Sequence, residues 1–436
     1  MHDIAGAFVP LRAILVHVYH SDESESKREY MREELKSLAH TAGVDMVGEL
    51  FQSMVKDHAK TLIGKGKLEE LADFAKAESA TLIIFGIELS GSQLRNVEDV
   101  CMIRVIDRTQ LILDIFASRA KSFEGKAQVR LAELQYALPR LMGQGVTMSR
   151  LGAGIGTRGP GETKLEIDRR TIRKDIAKLR RIVIEAGVKR AELRRRRRRL
   201  GVYSVGLIGY TNAGKTTLLA HLAKRYGEKQ VQPGNDRLFD TLDPTSRRVM
   251  YASQTLVVTD TVGFIRELPH HLIDAFRATL EEALDSDVLI HVIDASSPYR
   301  EEEMKTVYDV VHDVLKTKVP VISVFNKMDL LPDSQDAEFQ DHTADQVVRG
   351  SILWQDTLSQ ILSAIDHVIL KRVTLHLQIP SKRSDILAEA YLLGEVSSCH
   401  EKDDHLYVDV AIDEKEISHF VDFLSDREIV VEDQWL

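Results

Sequence analysis

The strongest constraint on this chain is the run Gly209-Tyr-Thr-Asn-Ala-Gly214-Lys215-Thr216-Thr217, which follows the apolar stretch Val202–Ile208 and leads into the apolar start of a helix. A GxxxxGK[ST] run between strand and helix requires an α/β layer whose sheet is mostly parallel, with helices on both faces. Glycines there let backbone N–H groups wrap phosphates. Lys215 can neutralise β- and γ-phosphoryl oxygens, and Thr216 can ligate Mg²⁺.

Two further elements narrow the ligand. Asp260-Thr-Val-Gly263 follows the strand-like run Thr255–Thr259, which sets a carboxylate near the metal and a glycine N–H near a γ-phosphoryl group. Asn326-Lys327-Met-Asp329 follows Val319–Phe325. A carboxylate at Asp329 can accept from both the N1 and N2 donors of guanine, a pair that adenine does not supply. Asn326 would tie this loop to the P-loop, and the Lys327 stem would cover the base. DxxG and NKxD are weak signals separately; in this order and at strand ends they point together to GTP. Thr241 is the expected switch residue and second protein ligand to Mg²⁺, with Thr245 as its competitor. The expected nucleotide contacts are therefore Gly209, Tyr210, Thr211, Asn212, Ala213, Gly214, Lys215, Thr216, Thr217, Thr241, Asp260, Gly263, Asn326, Lys327 and Asp329, with Lys215, Thr241, Asp260 and Gly263 closest to the chemistry.

The charge is divided unevenly. The 436-residue chain has a net charge of −9, yet residues 119–200 hold 23 Lys+Arg against 8 Asp+Glu, a surplus of +15 that leaves −24 elsewhere. An acidic protein with one basic segment suggests a localised polyanion contact. Within that segment Ala127, Leu131, Leu134, Leu138 and Leu141 repeat at 3.5-residue spacing, and Leu165, Ile172, Leu179, Ala186 and Leu193 repeat every seven, with Ile176 and Val183 between. Two such seams predict an antiparallel helical hairpin, the second helix running from about Glu162 to Arg199. Between them residues 143–161 contain seven glycines in nineteen positions, so this loop builds no core and reads as a functional tip or a mobile linker. The consecutive arginines Arg194, Arg195, Arg196, Arg197, Arg198 and Arg199 repel one another unless an anion neutralises them. With Arg150, Arg158, Lys164, Arg169 and Arg170 they are the expected polyanion contacts, the polyanion being RNA by the family resemblance given below.

The remaining segments are less specific. Leu11–Tyr19, Val44–Phe51, Thr81–Phe85 and Met102–Ile106 read as strands, and Glu25–Thr41 and Leu68–Ala77 as helices, giving a small α/β domain. Gly64-Lys-Gly-Lys67 reads as a turn and helix cap before it reads as a phosphate loop. From Val373 onward, strands at Val373–Leu377 and Leu406–Ile412 and helices at Ser384–Leu393 and Glu414–Leu424 suggest an α/β appendage. The expected multidomain α/β architecture is an N-terminal α/β domain (1–118), which the family resemblance given below implies is nucleotide-binding-like, the basic hairpin (119–200), a P-loop domain (201–370) and a C-terminal domain (371–436). Cys101 and Cys399 lie too far apart for a metal motif and are expected to be reduced and structural. No signal-peptide core and no run of about 18 apolar residues occurs, which points to a cytoplasmic protein without membrane insertion.

These residues resemble the HflX family of translational GTPases. The likeness rests on Gly64-Lys-Gly-Lys67, Ser92-Gln-Leu-Arg-Asn96, Asp107-Arg108 with Ile112-Leu-Asp-Ile-Phe116, Pro139-Arg-Leu141, Gly156-Thr-Arg-Gly-Pro-Gly-Glu162, Asp168-Arg-Arg170 and Gly209-Tyr-Thr-Asn-Ala-Gly-Lys215. It implies binding to the large ribosomal subunit and its RNA, with the hairpin tip directed toward the peptidyl transferase region, and separation of stalled or idle ribosomes in the GTP state. Ser351 stands where such proteins carry their SA motif, although Ile352 replaces the small residue; Thr216 replaces a usual serine; and residues 194–199 are unusually dense in arginine. Phe264 occupies the place where Ras-like enzymes put a water-positioning glutamine, so hydrolysis is expected to be slow alone and stimulated by the ribosome. Asn212 resembles the asparagine of potassium-activated GTPases, which makes K⁺ a candidate second cation. A monomer off the ribosome is expected. A ribosome-assembly GTPase and a non-catalytic, GTP-switched RNA-binding or silencing factor are the alternatives.

Overall fold

The computed structural model describes residues 11–56, 58–141, 160–199, 202–227, 239, 244–251, 254–266, 272, 286–314, 319–332, 339–369, 372–413, 420 and 431–432. The chain divides into two compact units, residues 1–358 and 359–436.

The first unit opens with a four-stranded parallel sheet of order β2-β1-β3-β4, where β1 is Arg12–His20, β2 Asp45–Met54, β3 Leu82–Phe85 and β4 Arg104–Asp107. Ala13 to Val16 and all of β3 are buried. Continuous apolar runs of this kind fit strands covered on both faces, as parallel sheets require. Four helices connect and flank the strands: α1 (Glu25–Thr41), α2 (Lys65–Ala77), α3 (Gly91–Cys101) and α4 (Arg108–Arg119). Their starts are encoded locally. Ser24 accepts from the Lys27 N–H, and Ser90 and Gln93 form a reciprocal capping box. Asp107 caps α4 through the Gln110 N–H at 2.9 Å. Gly64 sits at the start of α2, while Lys65 and Lys67 pair with Glu69 and Glu70, so the GKGK run is a helix start.

The long helices α5 (Phe123–Arg140) and α6 (Pro160–Arg199) pack on each other. Glu124, at the beginning of α5, pairs with Arg190, near the end of α6, which makes the two antiparallel. At 1.5 Å per residue, the 40 residues of α6 extend about 60 Å. Ala127, Leu131, Leu134, Ile176 and Val183 are buried along the seam. Leu193 is a correction to the expected seam: it is 54% exposed, because α5 has only 18 residues and its first turn already meets Arg190.

A six-stranded sheet follows, of order β10-β9-β8-β5-β7-β6. It comprises β5 (Val202–Ile208), β6 (Thr245–Tyr251), β7 (Gln254–Asp260), β8 (Val288–Asp294), β9 (Val321–Asn326) and β10 (Gln346–Arg349). All pairings are parallel except β6 with β7. Helices α7 (Lys215–Tyr226) and α8 (Arg300–Val314) belong to this layer, and α9 (Gln355–Ile369) spans the boundary between the two units.

The second unit contains β11 (Arg372–Pro380), α10 (Ser384–Leu393), β12 (Gly394–Lys402), β13 (His405–Asp413) and β14 (Val431–Glu432). Its sheet is antiparallel, of order β12-β13-β11-β14, over a core that includes Leu377, Ile379, Ile386, Val410 and Phe420. The expected helix at 414–424 lies largely outside the described residues. Cys101 is buried as a structural thiol should be, whereas Cys399 on β12 is exposed.

Candidate functional site: a phosphate loop and its guanine end

The site forms at the carboxyl ends of β5, β7 and β9, where an open α/β sheet places its ligands. Gly209 leaves β5 at φ +147°, and a Cβ there would lie 2.2 Å from the Val292 carbonyl oxygen. Gly214 begins α7 at φ +108°, where a Cβ would meet the Asn326 amide at 2.4 Å. Gly209 is therefore required by the approach of the Val292 backbone and Gly214 by that of the Asn326 side chain, each in addition to its dihedral angle. Asn212 adopts φ +62°, a left-handed conformation that asparagine tolerates better than most residues, and its side chain is exposed.

The P-loop is stitched to the segment after β7. The Thr211 N–H donates to the Phe264 carbonyl at 2.8 Å, and the Phe264 N–H donates to the Gly209 carbonyl at 3.1 Å. This brings Gly263 against Thr211 and Lys215: a Cβ on Gly263 would lie 2.9 Å from Thr211 Cα and 3.1 Å from Lys215 Nζ. Lys215 is buried, and its ammonium donates to the carbonyls of Gly209 and Tyr210 at 2.9 and 2.6 Å. Burial lowers its pKa to about 8, against the opposing pull of Asp260. Thr216 donates to Asp260 Oδ2 at 2.7 Å. A hydroxyl beside a carboxylate is a hard-oxygen donor set that suits Mg²⁺, with phosphate oxygens and water completing the shell. Among the described residues no cluster of three or more His, Cys, Asp or Glu side chains could hold a metal by itself. Phe264 has no exposed surface and belongs to the hydrophobic core, so its ring is removed from the reacting end.

At the guanine end, Asn326 joins two loops. Its amide donates to the Ala213 carbonyl at 2.8 Å, while its oxygen accepts from the Ile352 N–H at 3.0 Å. Lys327 takes φ +64° and places its ammonium 2.7 Å from Asp294 Oδ2. Asp329 follows in a short 3₁₀ turn with its carboxylate exposed. Ser351 is buried, and its hydroxyl accepts from the Leu353 N–H at 3.3 Å. Asp294 is not among the residues expected from the motifs; its one sequence signal is that it ends the apolar run of β8, and the strand pairing sets it opposite Asn326.

Other expected residues are placed differently. The Tyr210 phenol turns away from the P-loop and donates to Glu34 Oε1 on α1 at 2.6 Å, so only its backbone remains with the phosphate loop. Burial, then the neighbouring Glu34 carboxylate, raise the phenol's pKa well above its usual value and keep it a donor. Arg108 completes the contact, donating to Glu34 Oε2 at 2.9 Å and to the Arg266 carbonyl at 2.6 Å, just beyond Phe264. The Arg266 N–H in turn donates to the Tyr210 hydroxyl at 2.8 Å. Thr245 opens β6 opposite Asp260. Thr241, Arg150 and Arg158 lie outside the described residues, as do the side chains of Lys164 and Arg194 to Arg199. On α6, Arg170 is exposed and Arg169 is half-buried; Arg173, Lys174 and Lys178 add to the exposed basic face.

A strand-ended P-loop, a DxxG carboxylate on the P-loop hydroxyl and an NKxD loop tied to Ala213 define the class of guanine-nucleotide-hydrolysing P-loop proteins. Family models agree along the chain: "GTP-binding GTPase N-terminal" matches residues 29–117, "GTP-binding GTPase Middle Region" residues 119–198, and "50S ribosome-binding GTPase" residues 204–327. The GTPase HflX of Caldanaerobacter subterraneus is 49% identical over 73% of this chain and 73% of its own length. That of Escherichia coli K12 is 42% identical over 74% of each, and that of Akkermansia muciniphila is 35% identical over 95% of this chain and 97% of its own. The chain belongs to the HflX family of GTPases.

Proposed function

We propose that this GTPase binds the large ribosomal subunit through its basic hairpin and, in the GTP state, separates stalled or idle ribosomes into subunits. The observation that carries this reading is α6: a 40-residue helix braced by α5 over part of its length, with Arg170, Arg173, Lys174 and Lys178 exposed in the most basic stretch of an otherwise acidic chain. Such a finger can enter a groove lined by phosphates while the acidic remainder avoids indiscriminate RNA contact. The family description "50S ribosome-binding GTPase" supports the same partner.

In the proposed site, Lys215 leaves the Gly209 and Tyr210 carbonyls for the β- and γ-phosphoryl oxygens. Thr216, with Thr241 as second protein ligand, holds Mg²⁺, which neutralises phosphate charge when bound. Gly263 faces the γ-phosphoryl group, Asp329 reads guanine, and Asn326, Lys327 and Ser351 shape its pocket. Asn212 is the proposed K⁺ ligand. With the Phe264 ring buried, hydrolysis is slow until the ribosome is engaged, and the protein acts as a cytoplasmic monomer.

Sedimentation of intact ribosomes with the protein under GTP, GDP and a non-hydrolysable GTP analogue tests the reading. Subunits are expected under GTP and under the analogue, since binding free large subunits suffices by mass action. Unshifted ribosomes in all three states would exclude splitting. Binding confined to immature large subunits would assign the protein to assembly instead.

A further inference from the structure

The backbone of the P-loop and the Lys215 ammonium have partners or assigned ligands, but one side chain between them does not. Thr211 is only 7% exposed, and among the described residues its Oγ1 is buried with no hydrogen-bond partner. Its position is fixed on both sides: its N–H is spent on the Phe264 carbonyl, and its Cγ2 methyl lies 2.7 Å from where a Cβ on Gly263 would stand. The same point is 3.1 Å from Lys215 Nζ. Thr211, through its Cα and Cγ2, thus forms one contact group with Lys215 and Gly263, the two residues that the proposed function, on which this inference rests, assigns to the γ-phosphoryl end of the nucleotide.

A hydroxyl that is buried without a partner is unfavourable in a folded protein, and a valine of nearly the same shape would avoid the penalty. The hydroxyl therefore calls for a partner that arrives with a ligand. This end also lacks a side chain from Phe264, whose ring is wholly within the core. We infer that the Thr211 hydroxyl donates a hydrogen bond to a γ-phosphoryl oxygen of GTP, so that it favours GTP over GDP and holds the terminal phosphoryl group for attack. Thr211 thereby becomes a specificity-determining residue for the triphosphate. The inference does not depend on the ribosome, because it concerns binding by the isolated protein.

The test compares the parent with Thr211→Val, which keeps the shape and removes the hydroxyl, and Thr211→Ser, which keeps the hydroxyl. Titration of each full-length, nucleotide-free protein with fluorescent GDP and with a fluorescent non-hydrolysable GTP analogue, both with Mg²⁺, reads the effect. Thr211→Val should lose about tenfold to a hundredfold in affinity for the analogue, the scale of a hydrogen bond to a charged acceptor, with GDP affinity within about twofold. Thr211→Ser should retain the parent's preference. Thermal unfolding without nucleotide supplies the second readout: Thr211→Val should melt at or above the parent temperature. An unchanged analogue-to-GDP affinity ratio in Thr211→Val would overturn the inference. So would a clearly lower melting temperature without nucleotide, because the hydroxyl would then have an internal partner.

Discussion

Single residues in this site are constrained by backbone approach and burial more than by side-chain reach. Gly209 has the least freedom, with φ +147° and the Val292 carbonyl 2.2 Å from a would-be Cβ. Gly209→Ala should therefore cost about 2 kcal/mol or more and abolish nucleotide binding, measurable by chemical unfolding and nucleotide titration. Glu303, on α8, makes a prediction about pH. Burial, with a smaller push from Asp294, raises its carboxyl pKa to about 7 from 4.5. Between pH 4.5 and 7 the folded protein retains a proton that the unfolded chain has released, so this group's contribution to stability falls as pH rises through that window and stays low above it. Glu303→Gln should stabilise the protein at pH 8 by on the order of 2 kcal/mol and give little gain at pH 4.5, as read by unfolding at the two pH values.

Among elements, the loops after β5 and β9 behave as one structure because Asn326 bridges Ala213 and Ile352. Asn326→Ala should weaken GDP and GTP analogue by similar factors of about tenfold or more, since it loosens both loops without touching the γ-phosphoryl end; parallel titrations would show it. This part of the molecule was the most legible in the sequence. β5, β7 and β9 are apolar runs ending in chemically distinctive residues, so strand and site announce each other. Elements without that coupling were harder to see. Helix α3 carries only Leu94, Val97 and Cys101 at helical spacing, a signal spread over 11 residues, and β12 is polar and exposed along much of its length. The heptad through α6 was real as far as Val183, but sequence periodicity does not say where the partner helix stops, and Leu193 lies beyond it. Asp107 shows the same limit differently. Its motif was visible, yet its role is collective: it caps α4, accepts from the Leu89 N–H, and takes the Tyr136 hydroxyl and Arg140 at 2.7 and 3.1 Å.

At the scale of the molecule, the contact least visible beforehand joins residues 176 positions apart, Glu34 and Tyr210. Local patterning is silent about a glutamate on an amphipathic helix that meets a P-loop tyrosine. Glu34→Ala should cost about 3–5 kcal/mol, because it leaves Arg108 buried beside an empty volume. Tyr210→Phe should cost less, and the double mutant should show a coupling of about 0.5–3 kcal/mol in an unfolding cycle. The apolar surroundings continue the contact: Phe116 meets Phe239 edge-on at 4.7 Å, and Tyr30 stacks on Tyr299 at 4.3 Å. The family segments end at 117, 198 and 327, but these contacts disregard those borders. The hydrolytic module is consequently no interchangeable cassette. Excised at residue 200 and grafted elsewhere, it would expose a phenol and an aromatic wall shaped for a missing neighbour, so its natural unit of inheritance includes α1 and α4.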